Sequence, residues 1–224
     1  MKGWMAKTHL AAAIVLLAGL AWAQALGTTK VPLDARDAQV RTRETAMGDL
    51  VADAARGAVR ADLALVQASL FRSRLIPAGE LTRQALESAL VYPEEPVVLV
   101  EMSGGQVLAA LEHSLSSLPR PSTGFLQVSG LTVDFRSDAP AGRRVVGVRV
   151  AGRPLAPEGV YRVAMARSLA KGALGYFRIF NGLEPRAEGP ALGQALADHV
   201  RALGQVDITA GGRLRDLAAP PAEP

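Results

Sequence analysis

Across residues 97–135 the apolar positions switch between two periods and lay out a strand, a helix and a second strand. Val97, Val98, Leu99 and Val100 form a short Val-rich run after Pro96, which predicts a strand. Gly104 and Gly105 end it. Val107, Leu108, Leu111 and Leu115 then fall on one helical stripe, and Pro119 and Pro121 stop that helix. Leu126, Val128, Leu131, Val133 and Phe135 give the second strand, with Phe125 on the loop just before it. From its position alone Phe125 is either a core aromatic or a ring on the lip of a ligand site.

The same patterning extends in both directions. Thr45 is placed to cap a helix whose buried stripe holds Met47, Leu50, Val51, Ala54 and Ala58. Ala61 to Val66 reads as a strand, and Thr82 caps a further helix after the turn at Pro77. Val145 to Val150 and Val160 to Ala166 read as neighbouring antiparallel strands of a meander. Pro190 suits the first turn of a closing helix with Leu192, Leu196, Val200 and Leu203 on its stripe and Gly204 at its end. A final strand lies within 206–217. The expected architecture is an α/β (mixed α+β) fold, a mixed sheet with flanking helices, in one domain over 39–217. Residues 26–38 are expected as a linker and 218–224 as a disordered tail.

The first 25 residues follow a different pattern. Lys2 and Lys7 precede an apolar run from Leu10 to Leu20, and Ala21-Trp22-Ala23 and Ala23-Gln24-Ala25 supply small-x-small sites. This is the layout of a secretory signal peptide, and the run is short against the ~20 apolar residues a membrane span needs. The expected location is periplasmic or secreted, with no membrane attachment once the leader is cleaved.

Composition narrows the chemistry. Without Lys2 and Lys7 the chain has 23 basic against 21 acidic side chains, and its arginines form no run, so nucleic acid is not an expected partner. With no cysteine, a thiol nucleophile, a disulfide and a thiolate metal site are all excluded. Of three histidines, His9 lies in the leader, and His113 and His199 sit mid-helix as surface or core residues. Neither has a partner at metal-ligand spacing. Ser103 and Ser129 lack the surroundings of a nucleophile elbow.

Three stretches together resemble the C-terminal, substrate-binding domain of the 5′-nucleotidase family. The first is Arg43-Glu44 followed by Met47-Gly48-Asp49-Leu50 and Asp53-Ala54, where the family usually has Asn in place of Asp49. The second is Ser103-Gly104 with Gln106-Val107-Leu108, then Gly124 to Leu131 reading GFLQVSGL. The third is Gly172 to Tyr176, matching a glycine pair, Asp, glycine and an aromatic. The resemblance covers roughly Gln39 to Leu217 and has no counterpart to the family's metallophosphatase domain. It implies a substrate-binding role for Arg43 and Arg72 and a base clamp between Phe125 and Tyr176. It also implies that the catalytic metals belong to the absent domain, so no catalytic residue, metal or cofactor is expected here.

Two departures qualify those implications. The family's Asn and glycine run ahead of Arg72 stand here as Gln67-Ala68-Ser69-Leu70-Phe71, and the Asp of the third stretch is Leu174. Side chains occupy positions where bare backbone would meet a ligand. Two functions follow as expectations. One is a binding module for a nucleotide or nucleoside, served by a separate metallophosphatase protein. The other is a non-catalytic structural or interaction module whose pocket is closed by Leu70, Phe71 and Leu174.

Overall fold

The computed structural model describes residues 25–218. Residues 1–24 of the expected leader and most of the expected C-terminal tail lie outside them. In chain order the elements are β1 (Ala25–Thr29), β2 (Leu33–Asp34), α1 (Asp37–Val40), α2 (Ala46–Ala58), β3 (Leu63–Gln67), β4 (Leu75–Ile76), β5 (Gly79–Thr82), α3 (Arg83–Glu87), β6 (Pro96–Ser103) and α4 (Gly104–Leu115). There follow β7 (Leu126–Ser129), β8 (Leu131–Phe135), β9 (Val145–Val150), β10 (Arg153–Pro154), β11 (Val160–Ala166), α5 (Arg167–Ala170), α6 (Phe177–Phe180), β12 (Ala187–Ala191), α7 (Leu192–Leu203), β13 (Gln205–Val206) and β14 (Leu214–Asp216).

A five-stranded mixed sheet, ordered β12-β6-β11-β3-β7, forms the centre. Its β11 and β3 run parallel, and the other neighbours antiparallel. Every residue of β3 is buried, as expected of a strand covered on both faces. A second sheet, β10-β9-β8-β14, continues from the first through Gly130. Its φ of +77° and the 2.2 Å that would separate an added Cβ from Asp62 O both require glycine there. What reads in sequence as one strand over 126–135 is therefore two, in two sheets.

The helices follow their local signals. Thr45 caps α2 by accepting from Gly48 N–H at 3.0 Å. Ser103 and Gln106 form a reciprocal capping box at the start of α4, with Ser103 Oγ accepting at 3.1 Å and Gln106 Oε1 at 2.9 Å. Thr82 caps α3 at 3.1 Å. On α4, Val107, Leu111 and Leu115 are buried, but Leu108 stays exposed and lies against Val146 of β9 in a shallow groove.

Four expectations change. The 26–38 segment is not a linker: β1 pairs antiparallel with β5 and parallel with β13, and Leu33 and Ala35 are fully buried. Its small and polar residues hide this, because strand pairing on either side of β1 uses backbone rather than apolar side chains. β9 and β11 are not neighbours, since β11 inserts between β6 and β3. Pro190 belongs to β12, and α7 begins at Leu192. The 206–217 strand is two short strands in different sheets.

Candidate functional site

Parallel β3 and β11 end side by side, in register at Leu63 with Val163 and Ala64 with Ala164. Ligands of open α/β sheets commonly sit beyond such carboxyl ends. The loop after β3 carries Arg72, and the segment after β11 carries Tyr176. Phe125 joins them because β7 pairs antiparallel with β3, Gln67 opposite Leu126, and Ala68 N–H donates to Phe125 O at 2.8 Å. Arg43 is tied to β7 through Gln127, whose Nε2 donates to Arg43 O at 2.7 Å. The topology thus brings the backbones of all four predicted site residues toward one end of the central sheet.

Their side chains do not form an open pocket. Phe125 and Tyr176 are both 0% exposed. Tyr176 Oη donates to Gly124 O at 2.7 Å, directly ahead of Phe125. Its ring stacks on Phe180, with centroids 5.1 Å apart and planes at 18°, and meets His113 edge-on at 4.4 Å. Burial pushes the Tyr176 phenol well above its ordinary pKa, so it remains a donor. His113 Nε2 donates to Leu174 O at 3.0 Å and pins the turn over Gly124. Leu70 and Phe71 are packed into the core at 2% exposure, held there by pairing of their loop with Ala89, Leu90 and Val91. Arg43 and Arg72 are exposed. Arg43 faces a separate groove of about 510 Å³ with Leu118, Pro119, Pro121 and Phe135.

A second constellation, on the α2 side, holds the buried charge. Both oxygens of Glu44 are saturated by backbone N–H groups: Gly211 at 2.6 Å, Gly212 at 3.1 Å, Arg213 at 2.7 Å and Leu214 at 2.6 Å. Arg213 grips Asp53 with two 2.8 Å hydrogen bonds. Burial works to raise the Asp53 pKa, but hydrogen bonds from Arg213 and Ser129 overcome it and hold the carboxyl below its ordinary range. Asp49, one turn earlier, is fully buried, and neither of its oxygens has a hydrogen-bond partner. Arg213 Nε stands 3.4 Å away. Burial first, and then the Glu44 charge, push Asp49 up to about 8. Gln127 completes this region. Its Oε1 accepts from Thr45 N–H at 3.1 Å and its Nε2 donates to Val40 O at 2.9 Å. Gly48 makes room for it, since a Cβ there would lie 2.2 Å from Gln127 Oε1.

Among the described residues no group of three His, Asp or Glu side chains could hold a metal ion. His199 lies near Asp53 and Arg56, and burial lowers its pKa. Among the described residues the arrangement offers packing, hydrogen bonding and exposed guanidinium groups. Sequence reasoning did not find the carboxylate–arginine cluster. The i, i+4 spacing of Asp49 and Asp53 on one helix was a signal for it, but their partner Arg213 is 160 residues from Asp53 in the chain.

These features have counterparts in known proteins. A family profile described as 5′-nucleotidase, C-terminal domain matches residues 25–182, and the chain belongs to that family. It is 30% identical to a 5′-nucleotidase precursor from Thermus thermophilus whose crystal structure superposes with a TM-score of 0.79, covering 97% of this chain and 44% of that one. It is 26% identical over 205 residues to the trifunctional nucleotide phosphoesterase YfkN of Bacillus subtilis, covering 87% of this chain and 14% of that protein. It is 30% identical over 187 residues to an apyrase of Anopheles gambiae, covering 80% of this chain and 32% of that protein. The chain thus spans less than half the length of these relatives. Among the described residues no helix is long and apolar enough to cross a membrane.

Proposed function

We propose that this chain is an exported, non-hydrolytic module of nucleotide catabolism, a 5′-nucleotidase C-terminal domain whose base clamp is closed by its own side chains. It serves as a structural or interaction partner of a separately encoded metallophosphatase. The observation that carries this reading is the complete burial of Phe125 and Tyr176, with the Tyr176 hydroxyl bonded to Gly124 O. A ring locked in this way has no free face for a base. Export rests on the leader pattern of residues 1–25.

A second reading has one observation in its favour. Leu174 sits at φ +60°, a left-handed conformation that costs a non-glycine residue roughly 1–2 kcal/mol. A turn held under strain, with two exposed arginines at the same end of the sheet, fits a clamp that opens to admit a nucleotide through Arg43, Arg72, Phe125 and Tyr176. Calorimetric titration with AMP and UMP at millimolar concentration, with and without Mn²⁺, decides between them. The closed clamp gives no heat that depends on Arg72 and no phosphate release. AMP binding that disappears in Arg72→Ala would sink the first reading and establish the second.

A further inference from the structure

The groove that Arg43 faces lies where the described chain ends. Besides Arg43 it is bordered by the prolines of the 118–121 loop, by Phe135 and by Leu214 and Asp216 of β14. Ser122 N–H donates to Arg41 O at 3.1 Å and holds that loop beside the segment carrying Arg43. Beyond β14, Leu217 N–H donates to Phe135 O at 2.7 Å, and Ala218 N–H donates to Asp216 Oδ1 at 3.0 Å. Ala218 is the last described residue, so the chain leaves the described structure at the rim of this groove. Six more residues follow in the sequence, Ala219-Pro220-Pro221-Ala222-Glu223-Pro224.

The lining and the segment are complementary in chemistry. Most of the lining is apolar, and the rings of Pro119 and Pro121 are exposed. Its two charged groups are in different states. Asp216 Oδ1 already accepts from Ser137 N–H at 3.0 Å and from Ala218 N–H. Arg41 pairs with Asp37, but Arg43 makes no ion pair among the described residues. The groove therefore suits an apolar segment with few backbone donors and one negative charge. Residues 219–224 hold three prolines, two alanines and a single charged side chain, Glu223. Proline brings no N–H to be buried and has its φ already fixed, so such a segment loses little freedom on docking. At ~3.1 Å per extended residue Glu223 reaches about 15 Å from Ala218, a span that crosses a groove of this volume.

We infer that residues 219–224 dock in this groove, Pro220 and Pro221 against Leu118, Pro119 and Phe135, and Glu223 on Arg43. The C-terminal segment is then a strap that covers the groove of its own chain. An anionic ligand or partner that reaches for Arg43 has to displace it. The inference goes beyond the closed-clamp reading and does not depend on it, because the groove and the clamp share no side chain.

The test is amide NMR of the chain without its leader, compared with the same chain ending at Ala218. Removing 219–224 is expected to shift the amides of Thr42, Leu118 and Ser137 and the Arg43 side-chain Nε–H, all at positions remote in sequence from the cut. The parent spectrum should not change on dilution, because the docking is within one chain. Glu223→Gln removes only the charge. An exposed ion pair is worth up to about fivefold in an equilibrium, so this variant should move the same signals part of the way to their truncated positions. Added salt should act in the same direction. Pro220→Gly combined with Pro221→Gly should move them further. Truncation that shifts only residues 214–218 overturns the docking. Groove signals that move on dilution assign the groove to the tail of a second copy and overturn docking within one chain. Glu223→Gln signals identical to the parent overturn the contact with Arg43. None of these outcomes bears on the clamp, which the AMP titration tests separately.

Discussion

Two ends of β7 solve opposite problems. At its start, Phe125, Tyr176, Leu70 and Phe71 close a space with apolar side chains and one hydroxyl-to-carbonyl bond. At its far end, beside Ser129, and along α2, Glu44, Asp49, Asp53 and Arg213 bury charge and satisfy most of it. The chain keeps most of the family pattern along α2 and β7, with Asp49 the exception, and departs from it at 67–71 and 174. That contrast separates the part of the motif that builds the backbone frame from the part where the resemblance implies a ligand. The Arg43-Glu44 and FLQVSG stretches organise the backbone through Glu44 and Gln127, whatever the ligand loops do. Substitution at the loops leaves that scaffold intact and changes only what the loops present.

The scaffold side should be the more fragile. Arg213→Met leaves the half-buried Asp53 carboxylate without its cation, beside the fully buried Asp49. Removing one partner of such a cluster is expected to cost about 4 kcal/mol, read as a fall in the urea midpoint. A loss below about 1 kcal/mol would mean that the cluster is solvated in solution and that the contrast with the clamp is not one of buried charge.

Asp49 gives the next largest effect, and it depends on pH. Its folded pKa of about 8 lies above the unfolded 3.8, so between those values the folded chain holds a proton that the unfolded chain has released. Stability therefore falls as pH rises across that window and levels off above about 8. Asp49→Asn removes the slope. The variant should match the parent near pH 4 and gain on it progressively up to about pH 9, measured by denaturation at each pH. Equal pH profiles would show that Asp49 is ionised in the folded state. Gln127→Ala should follow at about 2 kcal/mol destabilising, because it leaves Thr45 N–H, Val40 O and Arg43 O unpaired inside the protein.

How much of this the sequence carried depends on how far apart the partners are. Helix caps at Thr45 and Thr82 were readable because each bond closes within three residues. The stripe of α7 was readable for the same reason, and Leu203, its last member, is the one that ends up exposed. β1 was not, because its partners β5 and β13 are distant and its own side chains carry no alternation. The four candidate site residues rest on motif resemblance, and their backbones lie toward one end of the central sheet. Side-chain direction was the illegible part. Nothing local separates Tyr176, which is 0% exposed, from Phe177, which is 62% exposed. That choice is made by His113 and Gly124, more than 50 residues earlier.

The clamp side should yield smaller effects. Tyr176→Phe keeps the ring stack and removes the bond to Gly124 O, an expected loss of about 1 kcal/mol in chemical denaturation. A larger loss would mean that the hydroxyl holds more than one contact closed.

Leu174→Gly says most about how the two ends differ, although its effect on stability is the smallest. Glycine relieves the left-handed strain at φ +60° but surrenders the leucine packing over Gly124 and adds freedom to the unfolded chain. These terms oppose one another, and the net change should stay within about 1 kcal/mol. The informative readout is ligand binding. If the Tyr176 hydroxyl and the His113–Tyr176–Phe180 column keep the clamp shut, the variant still shows no Arg72-dependent binding of AMP. If removing one side chain at 174 is enough to create that binding, the clamp is shut by its turn alone. The two ends of β7 would then differ in degree, one a fixed scaffold and the other a site closed by a single residue.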